Sequence, residues 1–303
     1  MTLRMAFDHR PSTAAYMLRA VWPSPGLRKT GGLPSIRVGW RRHRIDPRHL
    51  ARFLRLTGLR ADRGVPMLYP HVFGFPLHMV ILTHPAFPLP IWGALQVRNH
   101  LLQRRPISAD AVLDLETRVA RQRVLDKGVE VDLHTTVRAR EEEPVWESLV
   151  TFYYRGRFGA PEGASPLARA PTVGDTVVAG WRTSSGVGWR FGSLTGDYNG
   201  IHCWSWYARL FGFRGAFHHP QLVLGQCVAH LAESSPGDTE RLDAWLKGPV
   251  YYDADVSLRA TGEGTGTAFA LIAAADARPA ILGRWSRGGA AGSGLFDEPD
   301  QPV

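Results

Sequence analysis

Residues Gly196-Asp197-Tyr198-Asn199-Gly200-Ile201-His202 place a carboxylate, an amide and an imidazole within one glycine-rich turn. His218 and His219 follow, with His219 spaced 17 residues after His202, at the mouth of an apolar stretch that begins Pro220-Gln221. A carboxylate and an imidazole held across a tight turn can grip one water molecule from two sides, with one group taking its proton and the other orienting it. Asp197 and His202 are therefore the candidate catalytic pair. Aromatic neighbours (Trp204, Trp206, Phe213) would exclude bulk water and raise the basicity of the carboxylate. The blander reading is that Asp197 and Asn199 merely cap turns, and that His202 is a satisfied core histidine. A zinc site is disfavoured, since no cysteine ligand lies near and no second histidine sits at i+4 on one helix face. No metal is expected.

Elements must hold this turn in place. An aromatic helix is expected over Trp204–Phe213 and an apolar one over Gln221–Leu231, with Pro220 suited to its first turn. Asp46-Pro47 reads as the start of a helix that Gly58 ends. Phe73–His84 is apolar on most sides, so that helix must be buried all round. Strands are expected at Ala15–Trp22, Ile36–Trp40, Gly93–Leu101, Ala111–Arg121, Val129–Arg140 and Val145–Tyr154. The last four read as an antiparallel meander, with the acidic run Glu141–Glu143 at a hairpin tip. Further strands are expected at Thr172–Val178, Val250–Ala260, Gly266–Ala275 and Ala280–Trp285.

The order of elements repeats. Leu56-Thr57-Gly58 matches Leu194-Thr195-Gly196, and Pro76 is aligned with Pro220. Leu59 stands where Asp197 does, so one half keeps a site and the other only the scaffold. The expected division is an N-terminal repeat over 1–156, a Gly/Ala/Pro/Ser-rich linker over 157–171, a C-terminal repeat over 172–287, and a disordered tail over 288–303.

The chain of 303 residues is 44% apolar and 21% charged, a globular composition, and has no apolar run long enough to span a bilayer. Its net charge of +9 predicts an anionic partner without naming it. Arginines are scattered and no recognition motif accompanies them, so neither nucleic acid nor membrane is the expected partner. Cys203 and Cys227 suggest no disulfide framework and fit a reducing cytoplasm.

The run from Gly196 to His202, with Phe211-Gly212-Phe213 and His219 at its spacing, resembles the signature of the MaoC-like dehydratases, which include (R)-specific enoyl-CoA hydratases and 3-hydroxyacyl-thioester dehydratases. The two-halved layout extends the resemblance over roughly residues 30–287. It implies an α+β double hot-dog fold, two curled antiparallel sheets each wrapped around a long helix. It also implies hydration of trans-2-enoyl thioesters, or the reverse dehydration, with Asp197 and His202 on one water and no cofactor. Gly196, Asn199, His219 and Gln221 would bind substrate. The partner would be an acyl-CoA or acyl-carrier-protein thioester, and the fold allows a homodimer. Two positions depart from the family pattern: Gly200 replaces a proline, and Pro220 replaces a glycine whose N–H helps polarise the thioester carbonyl. The N–H of Gln221 is then the nearest substitute. A hot-dog thioesterase and a non-catalytic acyl-thioester-binding subunit are the competing readings.

Overall fold

Every residue of the helix Tyr69–Leu82 (α4) is buried, as a surface apolar on most sides requires. The computed structural model describes residues 2–139, 143–231, 237–273 and 278–288. Around α4 runs a first set of strands: β1 (Leu3–Phe7), β2 (Ile36–Arg44), β3 (Leu95–Gln103), β4 (Val112–Leu125), β5 (Gly128–Arg138) and β6 (Trp146–Arg155). A second set comprises β7 (Val177–Arg182), β8 (Glu240–Leu246), β9 (Asp255–Glu263), β10 (Gly266–Ala273) and β11 (Pro279–Arg287), and accompanies the helix α7 (Pro220–His230). Smaller helices are α1 (Thr13–Ala20), α2 (Leu27–Thr30), α3 (Pro47–Thr57), α5 (Gly188–Thr195) and α6 (Ser205–Leu210).

All eleven strands join one sheet in the order β1-β2-β4-β5-β6-β3-β8-β11-β10-β9-β7. Leaving aside β1, which adds in parallel to β2, each half follows one rule. From outer edge to centre its strands come first, third, fourth, fifth, second. The halves meet where β3 pairs antiparallel with β8, Asn99 opposite Ala244. This is the expected α+β double hot-dog, with α4 and α7 as the two central helices.

The Leu-Thr-Gly repeat is structural as well as textual. Thr57 and Thr195 each end a helix, each sends its hydroxyl to the carbonyl four residues back (Phe53, 2.9 Å; Phe191, 3.3 Å), and each accepts the N–H two residues on (Leu59, 3.3 Å; Asp197, 3.0 Å). Gly58 (φ 75°) and Gly196 (φ 84°) close these helices in the left-handed region that favours glycine. The repeated helices exchange partners, for α3 packs on α7 and α5 on α4. The proline alignment needs correcting. Pro220 opens α7, but Pro76 lies inside α4, and Pro70 holds the first-turn position.

Two further expectations change. Ala15–Trp22 is not a strand: Ser12 accepts the Ala15 N–H at 3.4 Å and starts α1, whose buried Tyr16 and Ala20 lie one helical turn apart. Strand β8 was not foreseen, because Glu240, Arg241 and Asp243 make it read as a loop. In the sheet those charges are paired, Asp243 with His100 (2.8 Å) and Arg241 (2.9 Å), Glu240 with the Trp285 indole (2.7 Å). The strand expected at Thr172–Val178 begins at Val177, and the expected helix at Trp204–Phe213 shortens to α6. Glu141 and Glu142 of the hairpin tip, and the tail beyond residue 288, lie outside the described residues.

Candidate active site

The turn after α5 is a succession of local bonds. Oδ1 of Asp197 accepts the Asn199 N–H at 3.1 Å, and Oδ1 of Asn199 accepts the Ile201 N–H at 3.3 Å, capping a 3-10 turn over Gly200–His202. The two carboxylate oxygens thus face different ways. One oxygen shapes the turn, while Oδ2 points toward the imidazoles, 3.9 Å from Nε2 of His219. The turn runs so close to α5 that a side chain at Gly188 would put its Cβ 1.9 Å from the His202 carbonyl oxygen. The Tyr252 hydroxyl donates to that same oxygen at 2.5 Å.

His202 is buried, and its Nδ1 lies 2.9 Å from the Phe217 carbonyl. Only an Nδ1–H can bond a carbonyl, so Nε2 carries the lone pair. Burial lowers the His202 pKa below the usual histidine value; Asp197 and the Phe217 bond pull the other way without reversing it. The ring is a neutral base. His219 stacks on it, centroids 3.9 Å apart, and Nε2 of His219 bonds the backbone carbonyl of Asp197 at 3.2 Å. Burial first, and then His202, holds the His219 pKa well below the ordinary range.

One donor atom from each of Asp197, His202 and His219 lies within 4.8 Å of the others, the spacing at which a water or a cation could sit. Nε2 of His219 spends its proton on the Asp197 carbonyl, which leaves Asp197 and Nε2 of His202 as the acceptors that face each other. The arrangement suits a water between Asp197 and His202.

These groups open onto a cavity of about 330 Å³. Asp197, Asn199, His202, His218 and Gln221 line it from the second half, and Phe75, Met79, Phe152 and Gln96 from the first. Gln221 donates to Gln96 at 3.0 Å, tying α7 to β3 across the cavity wall. Its backbone N–H stands second in α7, where no preceding turn offers a carbonyl. Among the residues expected to bind substrate, Asn199 and Gln221 line the cavity, whereas Gly196 and His219 do not. Gly196 shapes the turn, and His219 backs His202. His218 lines the cavity instead, with neither ring nitrogen hydrogen-bonded and a pKa pushed by burial to about 4.

Sequence reasoning missed the clamp on this turn. Arg10 and His49 both donate to the Leu194 carbonyl at 3.0 Å, and the Tyr16 hydroxyl donates to the Gly196 carbonyl at 2.9 Å. Nδ1 of His49 in turn bonds the Tyr69 hydroxyl at 2.7 Å. All four residues belong to the first half, so its scaffold holds the turn that carries Asp197. Partners this distant in sequence leave no local signal.

No family model matches the chain. The sequence is 29% identical over 258 residues to 3-hydroxyacyl-thioester dehydratase X of Mycobacterium tuberculosis, covering 84% of this chain and 91% of that relative. The crystal structure of HtdX from Mycobacterium tuberculosis superposes with a TM-score of 0.71 at 26% identity, over 83% of this chain and 99% of the other. A MaoC-like dehydratase from Phytophthora capsici gives a TM-score of 0.70 at 16% identity, over 88% and 99%. The chain thus resembles the MaoC-like dehydratases in both its motif and its double hot-dog fold.

Proposed function

We propose that this protein adds water to trans-2-enoyl thioesters to give (R)-3-hydroxyacyl thioesters, or removes it in the reverse direction. The observation that carries the reading is the convergence of Asp197 and of the unprotonated Nε2 of His202 at the wall of a largely apolar cavity. A water held between them is aimed by two acceptors. As its oxygen bonds C3 of the enoyl group, its proton passes to one of the pair, and that group returns the proton to C2 as the enolate collapses. Charge that builds on the thioester oxygen meets the free N–H of Gln221 at the start of α7, replacing the donor that Pro220 cannot supply. His218, neutral and unpartnered, faces the same space.

The acyl chain would run toward the first half, where Phe75, Met79 and Phe152 line the cavity and no equivalent of the catalytic turn intrudes. Lys247, at the cavity's edge, offers a cation for the carrier, whether coenzyme A or a carrier protein. The thioesterase reading gains nothing from a water placed for attack at C3. The test is loss of the conjugated thioester absorbance when the protein meets enoyl-CoA substrates of several lengths. No turnover by the wild type, or undiminished turnover in Asp197→Asn and His202→Gln, would defeat the proposal.

A further inference from the structure

The segment that carries the catalytic pair has a second face. Inward it presents Asn199, Ile201, His202 and Phe213 to the cavity. Outward it presents a run of aromatic rings in mutual contact: Trp189 to Trp204 (5.1 Å between centroids), Trp204 to Trp206 (6.2 Å), Trp206 to Tyr207 (5.7 Å) and Tyr207 to Phe211 (5.0 Å). These rings are not core, and Trp204 and Trp206, expected to shield the carboxylate from water, do not line the cavity. Trp206 is 61% exposed, Leu210 on the same short helix 73%, and Trp189, Trp204 and Phe211 each more than 40%. A contiguous apolar surface of this kind marks something that binds there.

The charges beside it say what. Arg190, Arg209 and Arg214 are exposed around the rings, and between Arg182 and Arg214 the one acidic side chain is Asp197, which is turned to the cavity. Indole and phenol rings present an apolar body and a polar edge, which suits the headgroup layer of a bilayer, and arginines add attraction to anionic lipid. No helix of the described residues is long and apolar enough to cross a membrane, so such contact would be peripheral.

We infer that the outer face of the Trp189–Arg214 segment docks this protein on an anionic lipid surface. Docking would bring the lipid against the back of the turn that holds Asp197 and His202. An enzyme or a binding protein for acyl chains would then work beside the phase in which such chains gather. The docking stands on the patch itself and not on the proposed reaction.

The test is co-sedimentation of the full chain with vesicles of phosphatidylcholine alone, and of phosphatidylcholine mixed with an equal part of phosphatidylglycerol. The protein is expected to bind the mixed vesicles at least about tenfold more tightly, with a blue shift of tryptophan emission. Trp206→Ser and Leu210→Ser should each weaken binding about tenfold, the worth of one buried large apolar side chain. Arg190→Gln should weaken it about fivefold. Neither Leu210→Ser nor Arg190→Gln should alter turnover of a soluble short-chain enoyl-CoA. Binding without turnover would leave docking intact and remove the reaction, while turnover without binding would do the reverse. Docking is overturned if mixed vesicles leave the protein in solution, or if both vesicle types retain it equally. It is also overturned if Trp206→Ser instead splits a dimer seen by light scattering, since the patch would then be covered by a second copy.

Discussion

The rings of His202 and His219 lie face to face, 3.9 Å between centroids and inclined by 26°. Two positive charges at that distance would repel by roughly 4 kcal/mol even at an effective dielectric constant near 20. The pair therefore tolerates one charge at most, and burial lowers the pKa of both rings. The stack keeps His202 poised as a base, because its burial disfavours the imidazolium that Asp197 would otherwise stabilise.

This sets the acid limb of the rate profile. With the His202 pKa below 6.5, the unprotonated form persists to lower pH than an exposed histidine would allow. We expect kcat/KM for an enoyl thioester to hold steady as pH falls through 6.5 and to decline only at more acidic values. Replacing Asp197 with Asn, or His202 with Gln, should lower kcat about 100- to 10,000-fold, the usual worth of a general base. Circular dichroism should show the fold retained in both variants.

Tyr16→Phe tests the clamp. Removing the hydroxyl leaves the buried Gly196 carbonyl without its donor, at a cost of about 1–3 kcal/mol in unfolding free energy. Because the loss falls on the turn itself, kcat should drop more than KM changes. A variant that melts lower but turns over normally would show that the clamp serves stability alone.

Gly188→Ala should be far more damaging than its size suggests. The new methyl would sit 1.9 Å from the His202 carbonyl oxygen, a backbone atom that cannot swing aside. Gly262→Ala is the control, since nothing lies within 4 Å of the added carbon on that exposed strand. Thermal melts should place the first variant several degrees below wild type, or leave it insoluble, and the second close to wild type.

Acid should weaken the fold through buried histidines. His71 lies wholly inside α4, and burial takes its pKa from 6.5 to about 4. Between those values the unfolded chain binds a proton that the folded chain refuses. Stability is therefore full above pH 6.5 and falls as pH drops toward 4, by roughly 3 kcal/mol for this residue. Chemical denaturation at pH 7 and pH 5 should show the loss, and His71→Leu should reduce it.

The turn from Gly196 to His202 was more legible in the sequence than the frame around it. Asp197 and Asn199 were legible because their bonds run to neighbours two residues away, and a turn that closes on itself writes its logic locally. Repeat symmetry was legible through Thr57-Gly58 and Thr195-Gly196 for the same reason. What stayed hidden depends on distant partners. Strand β8 looks like a loop until His100 and Trp285 arrive to hydrogen-bond Asp243 and Glu240. Tyr16 looks like part of a strand until Gly196 receives its hydroxyl. Of the adjacent pair the spacing pointed to His219 as the substrate ligand, yet His218 faces the cavity and His219 backs His202.

A pair of identical subunits must accept every substitution twice. Here the two halves are joined at β3 and β8 in one polypeptide, and each position is free to change once. A mutation at Phe75 or Met79 would reshape the end of the cavity where the acyl chain is proposed to run and leave the α7 end as it was. On the proposed function, divergence in chain-length preference would thereby be uncoupled from upkeep of the chemistry, a latitude that a symmetric dimer lacks.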